Sequence, residues 1–229
     1  MRRIVFILGL LTCAGGLLAP ARAAEIRGRI VISRSLTKQR VSIPNYQMRG
    51  VSVPSESVAA APDEEYKRLA VYLETASASR PEAAKANLVQ RNLKFEPEVV
   101  VVPVGSTVSF PNGDPIFHNV FSLSPPKPFD LGFYPEGETR TVRFARAGVV
   151  QVYCHLHPDM SAAILVVPNA WFAQPGPEGT FSFTEVPAGN YRVMVWHKSA
   201  GFFRKTIEVP EEGHREVSFE IPFSEGMAR

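Results

Sequence analysis

The sequence has too few cysteines for a disulfide scaffold, no long run of helical periodicity, and no surplus of charge once its first residues are set aside. Two cysteines, Cys13 and Cys154, occur in 229 residues, which excludes the bridge framework that supports many small secreted domains. No heptad, tandem repeat or low-complexity tract is present, so coiled coils and solenoids are removed as well. The apolar run from Ile4 to Leu18 is shorter than the roughly 20 residues that cross a bilayer as a helix.

That run lies between Arg2-Arg3 and the small-residue triplet Ala21-Arg22-Ala23, the tripartite pattern of an export signal. A membrane anchor and a lipoprotein signal at Cys13 are competing readings. The shortness of the run and Thr12, a poor residue before a lipidated cysteine, count against them. Residues 1–23 are therefore set outside the fold, and the mature chain is expected to be periplasmic or otherwise exported, with no stable membrane span. The leader takes three arginines and no acids, leaving 22 basic against 22 acidic residues. A formally neutral chain carries no electrostatic footprint for nucleic acid. Cys154 is then the one remaining cysteine, and no internal disulfide can form. An unpaired thiol in an oxidising compartment is a liability unless it is buried as a small hydrophobe or engaged by a metal.

Short β-branched and aromatic runs broken by Pro, Gly and Asn predict an all-β fold. They include "IRGRIVIS" (26–33), "LAVYLET" (69–75), "EVVVVPVG" (98–105), "STVSF" (106–110), "TRTVRFA" (139–145), "VVQVYC" (149–154) and "AAILVVP" (162–168). The stretch "RPEAAKANLVQ" (80–90) reads as a short helix, and residues 34–66 as a long loop or partly disordered arm. After Pro168 the strand texture resumes in "GTFSFTEVPAGNYRVMVWH" (179–197), "FRKTIEVP" (203–210) and "REVSFEIP" (215–222), predicting four strands with a turn at 187–190. This region resembles the carboxypeptidase-regulatory or prealbumin-like β-sandwich in its G-x-F-x-F and V-P-x-G-x-Y pattern. Such sandwiches usually begin with strands like "IRGRIVIS" and "LAVYLET", and two such strands would not be stable alone. A discontinuous organisation follows: residues 24–85 supply the first strands and a long loop, 86–168 form an inserted or adjacent domain, and 169–225 return to the outer sandwich.

The middle segment carries the chemistry. His118 in "FHNVF" is followed, after 35 residues, by Cys154, His157 and Met160 in "VYCHLHPDM". One thiolate, two imidazoles and a weak axial thioether form the ligand set that suits copper in an electron-transfer site. Cys154 ends a strand, so its neighbour His155 should point away, while a turn at Pro158 swings His157 back. Alone, His118 would read as an ordinary histidine and Met160 as core filler; the spacing makes them candidates together. His155, His197 and His214 read as exposed or structural.

Over residues 86–168 the sequence resembles the cupredoxins, the type 1 or blue copper proteins. The likeness lies in "KFEPEVVVVPVGSTVSFPN" (94–112), in "RFARAGVVQVYC" (143–154) and in a C-x-x-H-x-x-M loop of the amicyanin kind. That resemblance implies a Greek-key β-sandwich, one copper per chain, a transient redox protein partner, and Asn119 hydrogen-bonding across the two ligand loops. Ile116 and Pro158 would flank the emerging edge of His157 as a docking patch. The implied function is one-electron transfer without catalysis. A copper chaperone is the alternative, and a copper oxidoreductase subunit a weaker one: trinuclear centres of that class use eight histidines and this chain has five. Chains of similar two-part layout are described as methylamine-utilisation proteins, a likeness that identifies no donor or acceptor.

Overall fold

The computed structural model describes residues 23–33, 62–74 and 81–221. The expected leader through residue 22 and most of the expected arm, residues 34–61, lie outside the described residues. The described residues are almost entirely β. After β1 (Ala23–Ile32) and a five-residue helix α1 (Pro62–Tyr66) come β2 (Leu69–Glu74), β3 (Lys85–Asn87), β4 (Val89–Arg91), β5 (Lys94–Glu96) and β6 (Val99–Pro103). Next are β7 (Thr107–Pro111), β8 (His118–Ser122), β9 (Phe129–Tyr134), β10 (Thr139–Arg143), β11 (Gly148–Tyr153) and β12 (Ser161–Val167). The last five are β13 (Phe172–Ala173), β14 (Thr180–Pro187), β15 (Gly189–His197), β16 (Gly201–Val209) and β17 (His214–Ile221).

The strands form two pairs of sheets and one hairpin. Sheets ordered β14-β1-β17 and β13-β2-β15-β16 enclose one core, and sheets ordered β10-β7-β3 and β6-β12-β11-β8-β9 enclose another; β4 and β5 pair alone. The first two strands thus pair with the last ones: β1 lies antiparallel to β14 and parallel to β17, with Gly28 opposite both Phe181 and Val217. A Cβ at Gly28 would run into the Phe181 ring, so glycine lets that ring cross the strand. β2 lies antiparallel to β15, with Val71 opposite Val195.

Period-two alternation explains how the two halves meet. In β2, Leu69, Val71 and Leu73 enter the first core while Ala70 and Tyr72 face a third apolar cluster. In β12, Ala162, Ile164 and Val166 enter the second core, while Ala163, Leu165 and Val167 join that same third cluster with Val99 and Trp196. The continuous run "SAAILVV" is thereby buried on both faces, the usual reason for a strand without polar alternation.

The short helix expected within 80–90 is absent; this stretch forms β3 and β4. β3 pairs in parallel with β7, and Leu88 and Gln90 are fully buried two residues apart. Pairing and burial override the helix preference of Ala, Glu and Lys there. The described helix falls instead at 62–66, in the last part of the segment expected as a loop, with Pro62 at its first position.

Candidate metal centre

The site is assembled from a turn before β8 and a loop between β11 and β12. In the turn, Asn112 acts as the organiser: its Oδ1 accepts the Asp114 N–H at 3.0 Å, and its Nδ2 donates to the carbonyls of Ile116 at 2.8 Å and Tyr134 at 3.1 Å. The chain leaves this Asx-type turn directly into β8 with His118 fully buried. In the same sheet, the neighbouring strand β11 ends at Tyr153 and Cys154 follows, also buried. The Met160 N–H donates to the His157 carbonyl at 2.9 Å, closing a tight turn that returns the chain to β12.

Cys154 Sγ lies 3.8 Å from His118 Nδ1 and 3.7 Å from His157 Nδ1, and the two Nδ1 atoms are 3.1 Å apart. A point equidistant from all three lies about 2.1 Å from each, the length of a metal–imidazole bond and slightly less than a metal–thiolate bond of about 2.3 Å. These three residues form a cluster able to hold a metal ion. Met160 is buried in the same core as Cys154. His157 is half-buried, whereas Ile116, Phe117, Leu156 and Pro158 are exposed.

The orientation of His118 is set from behind. Its Nε2 meets Asp114 Oδ2 at 2.9 Å. Because a carboxylate only accepts, Nε2 carries a proton, and in the neutral ring Nδ1 presents its lone pair to the cluster. Asp114 is held in turn by the N–H groups of Asn92, at 2.6 Å, and Leu93, at 3.0 Å. Both turn residues have positive φ, as a two-residue hairpin between β4 and β5 requires. Burial works against ionisation of Asp114, but the Leu93, His118 and Asn92 donors outweigh it and hold the carboxyl below its ordinary value. Sequence reasoning missed Asp114; its signal is an acid four residues ahead of the histidine in "NGDPIFH".

Asn119 is buried, and its Nδ2 donates to Asp130 Oδ1 at 2.7 Å, while its Oδ1 has no hydrogen-bond partner. The Gly132 N–H, foremost, and the Asn119 amide lower the Asp130 carboxyl from its ordinary value. His155 is exposed, stacks on Phe121 with ring centroids 3.8 Å apart, and lies 3.6 Å from Asp130. His214 is exposed, 3.9 Å from Glu216. His197 is buried in the other half, where its Nε2 meets Glu65 Oε2 at 3.0 Å.

No protein-family model matches the chain, and no curated protein is detectably similar in sequence. Among solved structures, a Cu-containing nitrite reductase from Thermus scotoductus is 26% identical, with 42% of this chain covering 24% of that one at a TM-score of 0.36. A purple cupredoxin from Nitrosopumilus maritimus is 24% identical, with 36% of this chain covering 99% of that one at a TM-score of 0.33. Amicyanin from Paracoccus versutus is 22% identical, with 42% of this chain covering 98% of that one at a TM-score of 0.34. No helix among the described residues is long and apolar enough to cross a membrane.

Proposed function

We propose that the chain is an exported type 1 copper protein that carries single electrons and is not an enzyme. One copper per chain would be held by His118, Cys154 and His157, with the Met160 thioether as a fourth, weaker donor. The observation that carries this reading is the convergence of one thiol sulfur and two imidazole nitrogens on a point at bonding distance from all three. One soft donor with two borderline nitrogens suits copper better than calcium or magnesium, which take oxygen donors. Copper held there would supply a one-electron couple between Cu(II) and Cu(I). The protein's part is to keep the ligands fixed: His118 is tied to Asp114, and Cys154 and Met160 are packed into a core. His157, the half-buried member, would face a transient redox protein across Ile116 and Pro158, over a small contact typical of such encounters. We also propose that residues 86–168 form a cupredoxin sandwich carried by a second sandwich made of 24–85 and 169–225.

The test is optical and electron-spin-resonance spectroscopy of the copper-loaded mature protein. An intense thiolate-to-copper band is expected, lost completely in Cys154→Ala and retained, with a shifted reduction potential, in Met160→Leu. A colourless wild-type protein, or colour surviving in Cys154→Ala, would defeat the assignment. Rapid loss of copper on reduction, with transfer to an apo-acceptor, would favour the chaperone reading.

A further inference from the structure

The loop that ends in Met160 is fastened from outside its own sandwich. The Lys198 ammonium, in the turn between β15 and β16, donates to the Ser161 carbonyl at 3.0 Å and to Glu98 Oε2 at 3.1 Å. Ser161 follows Met160 directly and opens β12. Glu98 is anchored as well: Arg68 grips it with Nε at 3.0 Å and Nη2 at 2.9 Å, and the Glu98 carbonyl accepts the Ala163 N–H at 3.0 Å. Lys198, Glu98, Met160, Asp159, Lys94 and Phe95 border one cavity of about 150 Å³ behind the loop.

The turn that carries Lys198 is rigid for an independent reason. The ring of the preceding residue, His197, accepts the N–H groups of Ser199 and Ala200 on Nδ1, both at 3.2 Å, and its Nε2 meets buried Glu65 at 3.0 Å. Two donors on Nδ1 require the neutral ring with its proton on Nε2. The Lys198 N–H also donates to the Arg68 carbonyl at 3.1 Å. The ammonium therefore projects from a fixed base and is itself largely buried.

We infer that Lys198 is a positioning residue for Met160: by holding the Ser161 carbonyl against Glu98, the outer strands set how closely the thioether approaches the His118–Cys154–His157 plane. This rests on the copper reading above. The axial ligand tunes the reduction potential of such sites, so the outer strands become a part of the centre rather than a spacer.

Lys198→Met in the full chain removes the ammonium while keeping the stem, and leaves Glu98 paired to Arg68. The reduction potential and the relative intensities of the copper–thiolate bands should shift, whereas Lys198→Arg, which keeps donors, should restore wild-type values. In a Met160→Leu background, Lys198→Met should add no further shift, since the residue it acts through is gone. In metal-free protein, the Met160 amide should exchange several-fold faster in Lys198→Met. Unchanged spectrum, potential and exchange alongside a lowered melting temperature would reduce Lys198 to a structural role and overturn the inference, as would full additivity with Met160→Leu. A wild-type protein without the thiolate band would instead defeat the copper reading, and the metal-free exchange would then show by itself whether Lys198 holds the loop.

Discussion

The two β units solve the same packing problem and differ in where they bury polar groups. Each closes a pair of sheets over an aliphatic and aromatic core. In the unit that holds the His118–Cys154–His157 cluster, Gln90, Ser106, Asn112, Asp114, His118, Asn119 and Ser122 are buried, mostly gathered around one turn and the strand that leaves it. In the flanking unit the buried polar side chains among the described residues are Glu65, Arg68, Asn169 and His197. They serve chain crossings: Asn169 ties Leu73 and Trp171 where the chain returns after β12, and Glu65 and His197 fix α1 against the turn after β15. Burying a polar group costs free energy unless every bond is supplied. One unit meets that cost around the His118–Cys154–His157 cluster, the other to hold a seam.

The largest test of this contrast strikes the seam. Trp196 is buried between the sheets with Ala70, Val99, Ala163, Leu165 and Val167. Trp196→Ala should destabilise the chain by about 3–5 kcal/mol, the usual cost of emptying a large aromatic site. If the halves are separable units, calorimetry of this variant should resolve two transitions where the wild type shows one. Added copper should then raise only one of them, because a ligand stabilises the unit that binds it. A single transition that copper moves as a whole would mean that the division into two units is wrong.

A smaller effect is expected at the site. Asp114→Ala removes the carboxylate that orients His118 and leaves the Asn92 and Leu93 N–H groups without that acceptor. Copper affinity should fall about 10–100-fold, the range for losing such a supporting group, while the first core, in the flanking unit, should keep its amide protection. Titration with a competing chelator, paired with hydrogen exchange, separates the two results. Equal loss of protection in both units would show that Asp114 supports the whole molecule rather than the site.

How much of this was visible in the sequence depends on how far apart the cooperating residues lie. The strands were legible because alternation is local, and the site candidates because Cys154, His157 and Met160 share one loop. The misread segment 80–90 has helix-favouring residues, and its pairing partner β7 is distant enough that no local signal opposes them. The seam was hidden for a related reason. "SAAILVV" signals a buried strand, but that its second face meets Ala70 and Trp196 follows only from a contact between three separated segments. Asp114 was overlooked because its role depends on the β4–β5 hairpin reaching across, and Lys198 because nothing near it in sequence mentions Met160.

The smallest expected effect concerns acid. Hydrogen bonding by Arg68, and then the charge of Lys198, overcome the burial of Glu98 and lower its carboxyl from 4.5 to about 2. A carboxyl depressed in the folded state stabilises the protein fully above its unfolded value, and that contribution is lost as pH falls from about 4.5 towards about 2. Because the Glu98 side chain is 43% exposed, solvent screens the pair and the contribution should stay within about 1 kcal/mol. Glu98→Gln keeps the shape and an oxygen acceptor but does not titrate. Its denaturation midpoint should lie slightly below that of the wild type at neutral pH, and the two should converge as pH drops through this window. Since Glu98 joins Arg68 and Lys198 to β12, the convergence should be strongest for probes at the seam, such as Trp196 fluorescence, and weakest for probes in the first core. Curves that stay parallel down to pH 2 would show that the ion cluster is electrostatically idle and that the apolar seam alone holds the two units together.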